Sequence, residues 1–250
     1  MTTYAIILAA GESVRFGDGR DKMFETILGK TVLERSLHNF VLHPEISRVV
    51  LVTSHASRDR VIQLIESSFS DVRSCIRVIE GGKSRAESSI RGLMEASFWE
   101  NSSAALSDKN DRRVYVLLHD AARCLVTPAL ISSVITNINR DRCGVAPYIP
   151  VRDTIRLLDE PNGSYIADTL PRNRLGAMQT PQGADLDIML EALRVAHERN
   201  FQLTDDVEAL RTVGYPVRLI PGELNNIKLT YPEDMALAEH ILLQRKNSCA

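Results

Sequence analysis

Short apolar runs alternate with stretches whose apolar residues recur every three or four positions, and this rhythm organises most of the chain. Tyr4–Ala10 is a continuous apolar run closed by Gly11, the pattern of a strand buried on both faces. Leu33, Leu37, Phe40 and Val41 then follow helical spacing, Arg48–Ser54 reads as a second buried strand, and Val61, Ile62 and Ile65 mark the next helix. Ile76–Ile79 predicts a third strand ending at Gly81-Gly82, and Ser84-Arg85-Ala86-Glu87 has the form of a capping box opening a helix through Ile90, Leu93 and Met94. Val114–His119 is another strand, and Thr127-Pro128 opens a helix with proline in its first turn.

Beyond Gly144–Pro150, a further strand, the rhythm changes. Thr154–Arg172 reads as two short extended runs around Pro161-Asn162-Gly163-Ser164, a hairpin with too few apolar residues for a core and therefore a projecting arm. Helices are expected over Leu186–Glu198 and Asp205–Val213, strands near Val217–Ile220 and Ile227–Leu229, and a last helix from Tyr231 to about Gln244. Asn101–Arg112 is polar and predicts a surface loop. Strands separated by helices indicate an α/β domain with a largely parallel sheet, which binds ligands at the carboxyl ends of its strands.

Composition removes several classes of function. The 250 residues are 44% hydrophobic and 25% charged, so disorder is excluded, and Lys+Arg 30 against Asp+Glu 32 gives no overall field for nucleic acid or a membrane surface. No apolar run reaches membrane-helix length, and the first residues lack the basic region of a signal peptide. Cys75, Cys124, Cys143 and Cys249 are scattered without a C-x-x-C pair, which speaks against a disulfide framework or zinc site and for a reducing cytoplasm.

The chemistry is therefore sought in the loops after strands. Leu8-Ala9-Ala10-Gly11-Glu12-Ser13-Val14-Arg15, continuing to Lys22, offers small residues for close backbone approach and two cations for a polyphosphate. It matches neither the P-loop nor G-x-G-x-x-G, and a plain turn with solvated cations explains it equally well. Gly81-Gly82 before a capped helix suits an anion or is an ordinary cap. In His119-Asp120-Ala121-Ala122-Arg123 the acid suits a ribose, a substrate hydroxyl or a phosphate-bound metal, or is turn chemistry. Lys228, between Ile227 and Leu229, points to a ligand or to solvent. Together Arg15, Lys22 and Lys228, with Arg172 as a further candidate, indicate a site for several phosphates. No Ser-His-Asp constellation stands out, and a phosphate nucleophile, with a second pKa of about 6, needs no protein base.

These motifs resemble, in order and over nearly the whole chain, the 2-C-methyl-D-erythritol 4-phosphate cytidylyltransferase family of the non-mevalonate isoprenoid pathway. The matching residues are Leu8-Ala9-Ala10-Gly11 with Arg15 and Lys22, Gly81-Gly82 with Arg85-Ala86 and Ser88, and His119-Asp120-Ala121-Ala122-Arg123. Val151-Arg152-Asp153-Thr154, Arg172, Gln179-Thr180-Pro181-Gln182, Thr204-Asp205-Asp206, and Asn226-Ile227-Lys228 with Pro232-Glu233-Asp234 complete the set. The resemblance implies an α/β, Rossmann-like nucleotidyltransferase three-layer sandwich with a mostly parallel sheet. One cytidylyltransferase domain would span 1–250, with a protruding β-arm inserted at about 152–174 that embraces a second subunit in a homodimer. It implies CTP and Mg²⁺, and products 4-diphosphocytidyl-2-C-methyl-D-erythritol and pyrophosphate. By motif position Ala9, Ala10, Gly11, Gly82 and Ser88 would line the CTP pocket, with Asp120 touching nucleotide, substrate or Mg²⁺. Arg15 and Lys22 would stabilise charge on the α-phosphate, Lys228 would steady the reacting phosphates, and Arg172, Thr154, Arg123 and Thr204 would hold the sugar phosphate.

Three departures stand out: Ser13 and Asp21-Lys22-Met23 where the family usually has glycine and Pro-Lys-Gln, and Cys124 in place of a proline. The nearest alternative is a cytidylyltransferase for ribitol 5-phosphate or a related pentitol phosphate. An NAD-dependent oxidoreductase lacks its glycine fingerprint here and the acid after the second strand, where Thr53-Ser54 stands. A nucleotide-binding regulator without turnover is opposed by the presence of Arg15, Lys22 and Lys228. Some relatives fuse this enzyme to a later one of the pathway; an end just after the last helix predicts a monofunctional chain.

Overall fold

The computed structural model describes residues 2–11, 16–17, 21–103 and 113–248. Its strands and helices, in chain order, are β1 (Thr2–Ala9), β2 (Thr26–Ile27), β3 (Lys30–Thr31), α1 (Val32–Val41), β4 (Arg48–Thr53), α2 (Arg58–Ser68), β5 (Ile76–Glu80), α3 (Arg85–Ser103) and β6 (Val114–Asp120). There follow α4 (Pro128–Asp141), β7 (Gly144–Pro150), β8 (Arg156–Leu158), β9 (Ile166–Thr169), β10 (Gly176–Met178), β11 (Gln182–Asp185), α5 (Leu186–Glu198), α6 (Asp206–Thr212), β12 (Val217–Pro221) and α7 (Asp234–Ser248).

β1 lies in the middle of the main sheet, pairing in parallel with β4 on one side and β6 on the other, and β5 extends the β4 side. β11 runs antiparallel between β6 and β7, β10 pairs antiparallel with the end of β7, and β12 lies parallel along β7. The strand alternation of β1 feeds two cores. Ala5, Ile7 and Ala9 pack toward one face, where Leu33, Leu37 and Phe40 of α1, Ile65 of α2, Ile131 of α4 and Ile241 of α7 cover them. Tyr4 and Ile6 face the other side, against Leu93 and Trp99 of α3, Met189 of α5 and Val207 of α6. The result is the mixed α/β, three-layer arrangement with a mostly parallel sheet expected from the sequence.

Local chemistry sets the ends of elements. Thr127 Oγ1 accepts from the Leu130 amide at 3.1 Å and Pro128 occupies the first turn of α4. Ser84 Oγ accepts from Glu87 N, but Glu87 reaches back to the Lys83 amide at 2.8 Å, one residue beyond the usual reciprocal partner of a capping box.

Between Pro150 and Gly176 the chain leaves the sheet as a nearly fully exposed arm whose core is the antiparallel pair β8–β9. Its tip turns by a Glu160 carbonyl to Gly163 amide bond of 2.8 Å with Asn162 at φ 63°, so proline and asparagine form the turn's central pair rather than Asn-Gly. Three expectations fail in whole or in part. Residues 227–229 are not a strand: Leu229 is fully buried and its amide bonds Ala122 O at 2.9 Å, but no ladder runs beside them. The last helix begins at Asp234, not Tyr231, because Asp234 Oδ2 accepts from the amides of Thr230 and Tyr231 and holds that stretch in a turn. Of the expected loop at 101–112, residues 101–103 continue α3 and 104–112 lie outside the described residues.

Gly183 is the tightest point of the antiparallel insertion. A Cβ there would stand 2.5 Å from Leu117 Cδ2, 2.7 Å from Ile138 Cδ1 and 2.7 Å from the Val116 carbonyl oxygen. Because one of these is backbone, Gly183→Ala is expected to destabilise the fold by about 1–3 kcal/mol, read as a lower urea midpoint with unchanged m-value.

Candidate active site

The carboxyl ends of β1, β4, β5 and β6 share one edge of the sheet, as parallel strands require. Gly81 brings two of their loops together: a Cβ there would meet Ala10 Cβ at 2.5 Å and Ser88 Oγ at 2.8 Å. The Gly82 amide donates to Ser88 Oγ at 3.0 Å, so that N–H serves the loop's own geometry.

At the same edge lies an open cavity of about 210 Å³, lined among others by Arg85, Asp120, Arg123, Gln182, Thr204 and Lys228. Asp120, the last residue of β6, is its electrostatic centre. One carboxylate oxygen accepts from Arg85 Nε at 3.2 Å and Nη2 at 3.1 Å; the other accepts from Lys228 Nζ at 2.7 Å. Burial alone would push this carboxyl up, but the two cations outweigh it and hold Asp120 well below the ordinary carboxylate range. Arg85 also donates to Asp206 Oδ2 at 2.7 Å, and Ser89 Oγ donates to Asp206 Oδ1 at 2.7 Å. Desolvation works against the Arg85 charge, and Asp206 and Asp120 more than compensate, so the guanidinium stays charged.

The backbone of Asp120 is held as firmly as its side chain. Its amide donates to Thr180 Oγ1 at 3.1 Å, Thr180 Oγ1 lies 3.0 Å from His119 Nδ1, and His119 Nε2 lies 3.3 Å from the Arg123 carbonyl. With the hydroxyl accepting from Asp120, it donates to Nδ1 and leaves Nε2–H to donate to Arg123 O, which assigns the tautomer. Burial pushes the His119 pKa down to about 3. His119 is thus a neutral structural link, tilted against Phe40 at 4.7 Å, and not a catalyst.

Other expected residues are distributed around this centre. Lys22 opens a 3-10 turn, Lys22–Phe24, and its Nζ donates to Leu229 O at 3.2 Å, beside Lys228 in the chain. Ala9 closes β1, with Ala10 and Gly11 following it. Arg123 turns inward, donating through Nη1 to Asn226 O at 2.8 Å and through Nη2 to Met178 O at 3.0 Å. Thr204 lines the cavity while its hydroxyl and amide both donate to Glu208 Oε2 at 3.0 Å. Thr154 and Arg172 lie on the exposed arm and do not line the cavity of their own chain, with Arg172 Nη1 donating to Arg152 O at 3.0 Å. Arg15 and Ser13 lie outside the described residues.

Sequence reasoning gave no role to Gln182 or Asp206, and none beyond motif membership to Arg85. Gln182 Oε1 accepts from the amides of Asp206 and Val207 at 3.1 Å, and its Nε2 donates to Asp205 Oδ2 at 3.0 Å, tying β11 to the start of α6. The sequence signal is limited to two adjacent acids at a helix start, of which one caps; that the inner one, Asp206, is fully buried and so needs a cation is visible only in the structure. Among the described residues no group of three His, Cys, Asp or Glu side chains converges into an all-protein metal cage. Cys124 is buried and its thiol pushed up to about 11 by burial, an unreactive packing residue. No helix among the described residues is long and apolar enough to cross a membrane.

The His119 environment carries a pH signature. An unfolded imidazole takes up a proton near pH 6.5, whereas the folded one remains neutral until about 3. As pH falls through that window the unfolded chain binds the extra proton, so stability is lost, at up to about 1.4 kcal/mol per pH unit from this group. Asp120, whose folded pKa is also depressed, stabilises the fold above its unfolded value near 3.9, and that stability is lost mainly as pH falls past that value. Urea unfolding between about pH 6 and pH 4.5 should show this slope in the native protein and a shallower one in His119→Gln; equal slopes would contradict the assignment.

The comparisons agree with this geometry. Residues 3–244 match the family model described as 2-C-methyl-D-erythritol 4-phosphate cytidylyltransferase. A protein of that name from Rubrobacter xylanophilus is 36% identical over 243 residues, covering 97% of this chain and 95% of the relative. The bifunctional enzyme IspD/IspF of Desulforudis audaxviator is 36% identical over 241 residues, 96% of this chain but 56% of that longer protein. The crystal structure of the 4-diphosphocytidyl-2C-methyl-D-erythritol synthase from Anaerococcus prevotii superposes with a TM-score of 0.75 at 25% identity, covering 97% of this chain and 96% of that one. With the cavity at the carboxyl edge of a sheet of the same fold and a match over nearly its full length, the chain belongs to the 2-C-methyl-D-erythritol 4-phosphate cytidylyltransferase family of nucleotidyltransferases.

Proposed function

We infer that the chain transfers CMP from CTP to 2-C-methyl-D-erythritol 4-phosphate, giving 4-diphosphocytidyl-2-C-methyl-D-erythritol and pyrophosphate, a step of isoprenoid precursor synthesis by the non-mevalonate pathway. The observation that carries the reading is that one short stretch, Lys228-Leu229, bears one ammonium group and accepts a hydrogen bond from another. Lys228 Nζ is held by Asp120 at 2.7 Å, and Lys22 Nζ rests on the carbonyl of Leu229 at 3.2 Å. A phosphate oxygen of the acceptor attacks the α-phosphorus of CTP while the bond to the pyrophosphate oxygen breaks. Lys22 and Arg15 stabilise the charge that spreads over the α-phosphoryl oxygens, and Lys228 steadies the reacting phosphates. The acceptor phosphate is already ionised, so positioning and electrostatics suffice and no protein base is required.

Ala9, Ala10, Gly11, Gly82 and Ser88 form the nucleotide side of the site, supported by the contact of the two loops at Gly81. Thr204 and Arg123, both lining the cavity, serve the sugar-phosphate side. Mg²⁺ carried in with the triphosphate would be held on the protein side by Asp120, with Asp205 nearby, and would supply neutralisation of phosphate charge. The donor set fits such a substrate-borne ion, because Mg²⁺ asks the protein for only one or two carboxylate oxygens; Asp120 is the one placed at the cavity centre, with Asp205 on its lining.

The enzyme works in the cytoplasm as a homodimer, one cytidylyltransferase unit over residues 1–250 with the arm at about 152–174 reaching the partner's site. Thr154 and Arg172, exposed on the arm and not among the residues lining their own cavity, support this, as do the exposed apolar side chains of Leu157, Tyr165 and Ile166 on the arm.

Pyrophosphate release with CTP and Mg²⁺ should occur with 2-C-methyl-D-erythritol 4-phosphate and not with D-ribitol 5-phosphate; the reverse preference would keep the chemistry and overturn the acceptor. Lys22→Ala and Arg15→Ala should each lower kcat by on the order of 10²–10³. Arg172→Ala should raise KM for the sugar phosphate and leave CTP binding, followed by titration, nearly unchanged.

A further inference from the structure

Lys22 is presented on a turn only three residues long, and such a turn does not hold itself in place. Its anchors come from the start of α2. Asp21, the residue before the lysine, uses one carboxylate oxygen to accept from the Met23 amide at 3.0 Å and the other to accept from Ser57 Oγ at 2.7 Å. One turn along α2, the Arg60 guanidinium lies over the Phe24 ring at 3.8 Å from its centroid. Ser57 is itself fixed, since its amide donates to Ser54 Oγ at 3.1 Å and its carbonyl accepts from the Val61 amide at 3.0 Å. Between these anchors Met23 is buried in the core below β1, so the turn is pinned on both sides of the lysine.

We propose that Ser57 and Asp21 form a brace that positions Lys22 for phosphoryl chemistry, with Arg60 on Phe24 as its second strut. Asp21 turns its carboxylate to Ser57 and the Met23 amide, and by doing so it replaces with two side-chain hydrogen bonds the stiffness that a fixed φ would give. The φ of Asp21, −83°, lies close to the range a proline ring imposes. Asp21→Pro is therefore a substitution that removes the brace and supplies the stiffness by covalent means. Neither Ser57 nor Asp21 lines the cavity, and both are positioning residues.

The kinetic half of the test rests on the cytidyl-transfer reading, and the other half does not. Ser57→Ala is expected to lower kcat about three- to tenfold, the size of effect a lost hydrogen bond to a charged group produces when only part of it is felt at the reacting atoms. KM for CTP and for the acceptor should hardly move. The same variant should speed hydrogen exchange of the Phe24 and Glu25 amides, which bond to Asp21 O at 3.0 Å and Lys22 O at 3.3 Å, by about tenfold. In the Asp21→Pro background Ser57→Ala should change neither quantity, a coupling that a general structural role for Ser57 does not predict. Equal losses of kcat in both backgrounds, or unchanged exchange at Phe24 and Glu25, would overturn the brace. If the native protein released pyrophosphate with neither acceptor, the functional reading would fall, and the exchange measurement would still decide the brace by itself.

Discussion

A carboxylate buried at the end of a β-strand is the constraint around which this molecule is arranged. An ionised Asp120 in a water-poor site is costly unless cations and hydrogen bonds replace its hydration. The replacement draws in chain from far apart: Arg85 from the start of α3, Lys228 from the segment before α7, and Thr180 from the connection between β10 and β11. Arg85 in turn requires Asp206 at the head of α6, and Asp206 requires Ser89 and Gln182. Each partner is justified by the one before it, so the sheet edge, two helices and two loops are tied to a single charge.

That arrangement has a chemical consequence. Cations that gather phosphates must be held where charge develops, without collapsing onto one another when no ligand is present. Asp120 does this for Arg85 and Lys228 by accepting from both on different oxygens, which keeps the two positive groups apart and aimed. In the proposed reaction a polyphosphate entering the cavity would meet donors already oriented, leaving little reorganisation for the reaction itself. The neutral His119 below contributes by fixing the backbone of Asp120 through Thr180, a polar link inside the core rather than a proton carrier.

How much of this was legible in the sequence depends on whether a signal was local. Continuous apolar runs announced β1, β4 and β6, and the 3.6 spacing placed α5 at its observed bounds. The arm was legible from its turn residues and poor apolar content. β10 and β11 were not: they are short, contain glycine, and owe their strand geometry to pairing with β7 and β6. Residues 227–229 mislead in the opposite sense. Their alternation is real, with Leu229 buried and Lys228 turned to the site, yet no neighbouring strand offers a ladder. In His119-Asp120-Ala121-Ala122-Arg123 the acid was the legible candidate; Ala121 and Ala122 are buried in the core, and of the five only Asp120 and Arg123 line the cavity. The Arg85–Asp206 pair, 121 positions apart, is beyond any local rule.

The departures from the family pattern show how a local rule can be broken and the site preserved. A negative charge beside Lys22 is unfavourable if it faces incoming phosphates, and its position next to the lysine gave reason to expect that. The side chain instead points to Ser57 and to the Met23 amide, so its charge is directed toward α2 and compensated by hydrogen bonds. Cys124 follows the same logic in apolar form, occupying core volume with its thiol kept protonated. In both cases the substitution is absorbed by neighbours that the linear sequence does not place nearby: Ser57 is 36 positions from Asp21. What the motifs bring together is therefore the charge around Asp120, whereas the turn that carries Lys22 is held by a contact outside those motifs, Ser57.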